Sequence, residues 1–129
     1  MIMLVEDDIG MRDVCALFLQ SKGYDVRVAA SGSEAISKMR EFPHDLVISD
    51  CAMPGMSGVQ LSENLKADPC TAQVPILLMS ASLRCDIADS PCYEAFLRKP
   101  FLAGTLLDEV RRLLVPGAAL AGSASLAVA

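Results

Sequence analysis

Leu46-Val-Ile-Ser-Asp50 is the stretch that decides the fold, because three apolar residues run without interruption into a serine and an aspartate. A short continuous apolar run of this kind predicts a strand buried on both faces, as in a parallel sheet. The residues that follow, Cys51-Ala-Met-Pro-Gly-Met-Ser-Gly58, are rich in turn formers and predict a loop. We therefore expect Asp50 to lie at the carboxyl end of an interior strand, where the loop leaves it accessible.

Other short apolar runs alternate with helical patterns along the chain. Further strands are predicted at Ile2–Val5, around Val26 and Val28, at Ile76–Met79 and at Ala95–Arg98. Parallel strands need crossover connections, and these crossovers place helices on both faces of the sheet. The pattern therefore predicts an α/β fold with a doubly wound, five-stranded parallel sheet.

Helix signals between the apolar runs support this arrangement. A first helix is predicted from Asp8 to about Lys22, with residues at helical spacing at Val14, Leu17, Phe18 and Ser21. Ser31-Gly-Ser-Glu34 has the spacing of a capping box and predicts the start of a second helix. The last helix carries an apolar stripe at Leu106, Leu107, Val110, Leu113 and Leu114.

Two segments depart from the alternating pattern. Residues 82–91 have weak helical character and end in Pro91, so helix 4, between the last two strands, is expected to be short or irregular. Residues 116–129 contain only Pro, Gly, Ala, Ser, Leu and Val. We therefore expect one domain over residues 1–115 and an uncharged linker or disordered tail over residues 116–129.

Composition restricts the class of function. The 129 residues carry a formal net charge of -5, which argues against a stand-alone nucleic-acid binder, because such a protein needs a basic face. No apolar run approaches the roughly 20 residues of a membrane-spanning helix. The five cysteines form no C-x-x-C pair, and the one histidine, His44, completes no zinc spacing. We expect a cytoplasmic protein with reduced thiols, no membrane contact and no direct nucleic-acid contact.

Polar side chains follow four of the predicted strands at the point where each strand ends. They are Glu6, Asp7 and Asp8 after the first strand, Asp50 at the end of the third, Ser80 after the fourth and Lys99 after the fifth. The carboxyl ends of parallel strands share one edge of the sheet, where ligands bind. Clustered carboxylates repel one another unless a cation lies among them, and oxygen ligands favour a hard ion such as Mg²⁺. Asp50 is the carboxylate best placed to attack phosphorus and form an acyl phosphate.

Four motifs, each at a predicted strand end, carry a family resemblance. They are Leu4-Val-Glu-Asp-Asp8, Val47-Ile-Ser-Asp-Cys-Ala-Met-Pro-Gly-Met-Ser-Gly58, Pro75-Ile-Leu-Leu-Met-Ser-Ala81 and Arg98-Lys-Pro-Phe101. From about Ile2 to Leu114 the chain resembles the response-regulator receiver domains of two-component signal transduction, the CheY-like superfamily. The resemblance implies a flavodoxin-like sheet in the order 2-1-3-4-5. It also implies a signalling phosphoacceptor and not an enzyme: such a domain catalyses only its own phosphoryl transfer and dephosphorylation.

The resemblance implies a metal site around the phosphoacceptor. Asp50 matches the family's phosphoacceptor and also one of its metal ligands. Glu6 and Asp7 match the acidic pair that holds the metal, Asp7 directly and Glu6 through water. The backbone carbonyl of Ala52 matches a further ligand. The implied cofactor is Mg²⁺, with Mn²⁺ as an alternative.

A second group of residues matches the part of the family site that responds to phosphorylation. Ser80 matches the switch hydroxyl that bonds the phosphoryl group, and Lys99 matches the lysine that pairs with it. Phe96 lies where the family has an aromatic residue that changes rotamer. The resemblance also implies a cis peptide bond between Lys99 and Pro100.

The implied partners are proteins of a phosphorelay. The phosphohistidine donor would be a sensor histidine kinase or a histidine phosphotransfer protein, and an unidentified downstream protein would receive the signal. Self-association into a homodimer stays open. So does the alternative of a receiver-like interaction module that works without phosphorylation, although the presence of every acceptor-site residue argues against it.

Two other classes fit the sequence less well. Phosphohydrolases of the haloacid-dehalogenase type have a second aspartate two residues after the nucleophile, where this chain has Ala52. A flavodoxin-like cofactor binder would have a phosphate-binding loop of Ser, Thr and Gly after the first strand. Without a metal, Glu6-Asp-Asp8 would repel a phosphate at that position.

Overall fold

The computed structural model describes residues 1–81 and 93–114, and in them it shows one parallel sheet flanked by helices. The order of the five strands is β2-β1-β3-β4-β5, which confirms the predicted α/β fold and strand order. The strands are β1 (Ile2–Val5), β2 (Val26–Ala29), β3 (Leu46–Asp50), β4 (Ile76–Ser80) and β5 (Ala95–Arg98). The helices are α1 (Ile9–Ser21), α2 (Gly32–Met39), α3 (Gly58–Ala67) and α4 (Ala103–Leu114).

The sheet separates two apolar cores. β1 shows the alternation, because Leu4 packs with α1 and α4 on one face whereas Met3 packs with α2 and α3 on the other. All five residues of β3 are buried, as expected for a strand covered on both faces. Cys51 packs into the core on the α2 and α3 side as a buried thiol.

Short polar side chains begin three of the helices. Asp8 caps α1 by accepting a hydrogen bond from the backbone N–H of Gly10 at 3.0 Å. Ser31 caps α2, but the Glu34 carboxylate accepts from the N–H of Ala30, one residue before the position that a capping box requires. A complete capping box is present instead at α3, where Ser57 and Gln60 bond reciprocally. This capping box was not predicted from the sequence.

Helix α1 forms where it was predicted, but its buried side differs from the residues that indicated it. Its buried residues are Cys15, Ala16 and Leu19. Val14 and Leu17 are 65% and 66% exposed. Helical spacing therefore located the helix correctly, although part of the pattern belongs to its outer face.

Lys66 and Glu94 join three parts of the fold. The ammonium of Lys66, at the end of α3, donates to the carbonyls of Ala72 and Val74 and lies 2.9 Å from the Glu94 carboxylate. The second oxygen of that carboxylate accepts from the N–H of Ile76 at 2.7 Å. This network fixes the beginning of β5 beside β4.

Some predictions fall on residues outside the described part of the chain. One is the short or irregular helix that was predicted over residues 82–91, between β4 and β5. The other is the tail predicted over residues 116–129. Within the described residues, no helix is long and apolar enough to cross a membrane.

Gly58 allows α3 to begin directly against the end of β3. A Cβ atom at this position would lie 2.5 Å from the carbonyl oxygen of Asp50 and 2.9 Å from the Cα of Cys51. Both neighbours are backbone atoms, so they cannot move aside as a flexible side chain would.

We expect Gly58→Ala to lower the free energy of unfolding by about 1–3 kcal/mol, because the added methyl forces α3 away from β3. Urea unfolding measures the change. Gly104→Ala is the matched control: a Cβ there has no neighbour within 4 Å, so the substitution in α4 should stabilise the protein by about 0.5–1 kcal/mol. Equal effects of the two substitutions would contradict the packing argument.

His44 is buried near the amino-terminal edge of the sheet. It is 5% exposed, its Nδ1 donates to the carbonyl of Phe42 at 3.0 Å, and its ring stacks on the Phe42 ring. Its Nε2 has no hydrogen-bond partner within the described residues. Burial lowers the pKa of His44 below its usual value, so the fold favours the neutral ring.

The neutral ring should therefore make stability depend on pH. Its contribution is fully present above the unfolded-state pKa of about 6.5 and decreases as the pH falls toward the lower pKa of the folded state. We expect the wild type to lose more stability between pH 7.5 and pH 5.5 than His44→Phe, whose ring cannot be protonated. Urea unfolding at both pH values measures this difference. Parallel losses in the two proteins would disprove it.

Candidate functional site

The predicted site residues meet along one edge of the sheet. Because the strands are parallel, their carboxyl ends lie on the same side. The register pairs Ser80, the last residue of β4, with Arg98, the last residue of β5, and Lys99 follows directly. Asp50 ends β3, and Glu6 follows β1.

Three carboxylates crowd this edge. Glu6, Asp7 and Asp50 each offer one oxygen, and these oxygens lie within 4.8 Å of one another. Glu6 is 2% exposed and Asp50 is 7% exposed, whereas Asp7 faces solvent. Burial and then the charge of Asp50 raise the pKa of Glu6 above its usual value, although Lys99 partly opposes the rise.

Lys99 supplies a positive charge to the two buried carboxylates. Its Nζ lies 3.0 Å from Oδ1 of Asp50 and 3.3 Å from Oε1 of Glu6. Burial lowers the pKa of Lys99, but the hydrogen bond and charge of Asp50, together with Glu6, outweigh burial and raise it. The peptide bond between Lys99 and Pro100 is cis, as the family resemblance implied.

The donor set fits a hard divalent cation. Glu6, Asp7 and Asp50 provide only oxygen atoms, and their close approach leaves a local excess of negative charge that Lys99 does not fully neutralise. Ala52 lies two residues after Asp50 in an exposed part of the loop. Its role as a carbonyl ligand stays a prediction.

Ser80 and Phe96 lie at different distances from the carboxyl edge of the sheet. Ser80 is 1% exposed at the end of β4, on the same edge as Asp50. Phe96 pairs in register with Leu78, two positions before that edge, and its half-buried ring tilts against Tyr93 at 6.2 Å. The structure thus brings Ser80 to the edge and places Phe96 further down β5, on the side of α2 and α3.

Two residues that support the site were not predicted. The guanidinium of Arg12 donates to the backbone carbonyl of Glu6 at 3.0 Å and ties α1 to the turn that carries Glu6 and Asp7. Gly58 packs against the backbone of Asp50. The sequence did carry a signal for Gly58. Glycine lowers helix stability, so a glycine in the first turn indicates that close packing leaves no room for a side chain. For Arg12 the sequence carried no comparable signal.

Comparison with known proteins agrees with this geometry. The family model for the response regulator receiver domain matches residues 2–111. The DNA-binding response regulator MtrA of Mycolicibacterium paratuberculosis is 30% identical over 118 residues, which cover 88% of this chain and 50% of MtrA. Hybrid signal transduction histidine kinase D of Dictyostelium discoideum is 35% identical over 117 residues, or 88% of this chain and 7% of the kinase. The chain thus spans half of the first relative and a small part of the second.

Solved structures show the same fold. The chemotaxis response regulator CheY4 of Vibrio cholerae superposes with a TM-score of 0.76 at 29% identity, covering 88% of this chain and 97% of CheY4. The response regulator TrrA of Thermotoga maritima, solved in complex with Mg²⁺-BeF, superposes with a TM-score of 0.79 at 30% identity and the same coverage. Fold, acidic edge and sequence therefore agree, and the chain belongs to the response regulator receiver domain family.

Proposed function

We propose that this receiver domain accepts a phosphoryl group on Asp50 in a Mg²⁺-dependent reaction. The observation that carries the proposal is the position of the Asp50 carboxylate. It ends a buried strand beside two further carboxylates and lies 3.0 Å from the ammonium of Lys99. The geometry makes Asp50 a nucleophile with neighbours suited to balancing the charge of a phosphoryl group.

The transfer replaces one bond to phosphorus by another. An oxygen of Asp50 forms the new P–O bond while the P–N bond to the donor histidine breaks, and the leaving imidazole takes up a proton. Mg²⁺ held by Glu6, Asp7, Asp50 and the carbonyl of Ala52 would offset the negative charge of both reacting groups. In the product, the negative charge on the site is larger than before.

Lys99 and Ser80 act on that product. The ammonium of Lys99 exchanges its contact with the Asp50 carboxylate for one with a phosphoryl oxygen, because the new group carries more charge. Ser80, on the neighbouring strand, donates its hydroxyl hydrogen to another phosphoryl oxygen. Movement of Ser80 would be transmitted from the edge to Phe96, which lies two positions further down β5, and this pair forms the switch.

The resulting signal passes between proteins. The donor would be a phosphohistidine of a sensor histidine kinase or a histidine phosphotransfer protein, in keeping with the hybrid histidine kinase among the relatives. The receiver would work in the cytoplasm on a downstream protein. The DNA-binding relative is twice as long as the matched region, so we assign no nucleic-acid contact to this acidic chain.

Phosphorylation with a small donor tests the proposal. The protein is incubated with acetyl phosphate and Mg²⁺, and intact-mass spectrometry measures the addition of one phosphoryl group. We expect Asp50→Asn to abolish the addition, because an amide cannot act as the nucleophile. Asp25→Asn, which changes an exposed aspartate at the opposite edge, is the matched control and should be phosphorylated like the wild type.

The outcome separates the two readings of the family resemblance. Phosphorylation that persists in Asp50→Asn, or that needs no divalent cation, would refute the proposal. A folded wild type that is never phosphorylated would favour the alternative, a receiver-like interaction module that does not use phosphorylation. Thermal unfolding of each variant establishes that it is folded.

Mg²⁺ binding gives a second test that does not involve phosphorylation. We expect millimolar Mg²⁺ to raise the thermal midpoint of the wild type, since a ligand that binds only the folded state stabilises it. Asp7→Asn should abolish most of this rise because it removes an exposed carboxylate ligand. Asp13→Asn, which changes an exposed aspartate of α1, should retain it. An equal rise in both variants would contradict the assigned ligands.

A further inference from the structure

Asp7 is the exposed member of the carboxylate cluster, and it is held differently from the other two. Glu6 and Asp50 are buried, and both contact the ammonium of Lys99. Within residues 1–81 and 93–114, the Asp7 carboxylate makes neither a hydrogen bond nor an ion pair. Its position relative to the other two carboxylates therefore depends on the backbone that carries it.

The backbone of this turn is anchored on both sides of Asp7. Before it, the N–H of Glu6 donates to the carbonyl of Ala29, the last residue of β2, at 3.0 Å. After it, Asp8 caps the start of α1. The peptide group that joins Glu6 to Asp7 lies between these anchors. Its carbonyl oxygen is the atom that accepts a hydrogen bond from the guanidinium of Arg12 at 3.0 Å.

A hydrogen bond to this carbonyl also restrains Asp7. A peptide group is planar, so the carbonyl oxygen of Glu6 lies in one rigid unit with the nitrogen and Cα of Asp7. The donor is charged, and hydrogen bonds from charged donors are shorter and stronger than those between neutral groups. Holding the oxygen therefore holds the plane from which the Asp7 side chain departs.

Helix α1 gives Arg12 a fixed base. The backbone N–H of Arg12 donates to the carbonyl of Asp8 at 2.9 Å, so its backbone belongs to the first turn of hydrogen bonds in the helix. The following turns are packed on the sheet through the buried residues Cys15 and Leu19. The half-buried Arg12 side chain thus connects a helix packed on the core to the peptide group of the turn.

We propose that Arg12 is a positioning residue for the metal site and raises the affinity for Mg²⁺ through the peptide group that carries Asp7. The inference rests on the proposed function, in which Asp7 is a direct ligand of Mg²⁺. Residues that orient metal ligands commonly affect metal affinity without touching the metal. Arg12 does this by keeping the Asp7 carboxylate beside those of Glu6 and Asp50 before the ion arrives.

Arg12 is suited to this role because its charge does not contact the ligand oxygens. Lys99 contacts a carboxylate oxygen of both Glu6 and Asp50, so a metal shares those side chains with its ammonium. Arg12 binds a carbonyl, and within the described residues it makes no ion pair. It therefore orders the turn and leaves the carboxylates available.

Removal of Arg12 distinguishes positioning from a simple effect of charge. A cation near a metal site repels the metal, so loss of the charge alone would make Mg²⁺ bind more tightly. Loss of positioning would make Mg²⁺ bind more weakly, because the turn that carries Asp7 must then be ordered when the metal binds. The two effects have opposite signs.

Titration of the isotope-labelled protein with MgCl₂, followed by the NMR shifts of its amides, measures the Kd for Mg²⁺. We expect Arg12→Ala to raise this Kd about tenfold. Arg12→Lys keeps a charged donor and should recover much of the lost affinity. Arg40→Ala is the matched control: it removes an exposed arginine at the end of α2 and should bind Mg²⁺ like the wild type.

Hydrogen exchange separates a local effect on the turn from a general loss of stability. In Arg12→Ala, the amide of Gly10, which donates to Asp8 at the start of α1, should exchange several-fold faster. The amide of Val47, which donates to the carbonyl of Pro75 inside the sheet, should exchange at the wild-type rate. Acceleration of both amides by the same factor would overturn the positioning role.

The Mg²⁺ titration can fail in two distinguishable ways. Arg12→Ala that binds Mg²⁺ as tightly as the wild type, or more tightly, would overturn the role of Arg12 alone. A wild type that does not bind Mg²⁺ would overturn the metal site of the proposed function and this role with it. If Arg12→Ala does not fold, Arg12→Gln, which is shorter and uncharged, makes the same comparison.

Discussion

Crowding of negative charge at the carboxyl edge of the sheet is the constraint on which the rest of this structure depends. Glu6 and Asp50 are almost fully buried carboxylates, and burial of a charge is costly unless a partner compensates it. Lys99 contacts both from the end of β5, a strand that is not adjacent to either of theirs. The site therefore exists only when β1, β3 and β5 are in register, which couples its chemistry to the whole sheet.

Much of the fold followed from short-range patterns in the sequence. The apolar run ending at Asp50 predicted β3 as a strand buried on both faces, and each of its residues is buried. Alternation with helical segments was enough to predict a parallel sheet, and from this the meeting of Glu6, Asp50 and Lys99 at one edge. The strand order itself came from the family resemblance, because local patterns do not specify which strands are neighbours.

The interactions that were missed join residues far apart in the chain or depend on exact backbone approach. Lys66 and Glu94 are separated by 28 positions, and neither residue type signals a partner at that distance. Gly58 matters because the carbonyl of Asp50 is 2.5 Å from where its Cβ would be. Hydrophobic periodicity reports burial and cannot report such contacts. On α1 it was even ambiguous about burial, since Val14 and Leu17 share helical spacing with the core but face outward.

The two sides of α1 differ in what they contact. Arg12 points toward the sheet and holds the carbonyl of Glu6, so a substitution there would disturb the turn that carries the acidic pair. Val14 and Leu17 point away from that turn and contribute little to the core. Substitutions on the outer side should therefore leave the carboxylate cluster undisturbed.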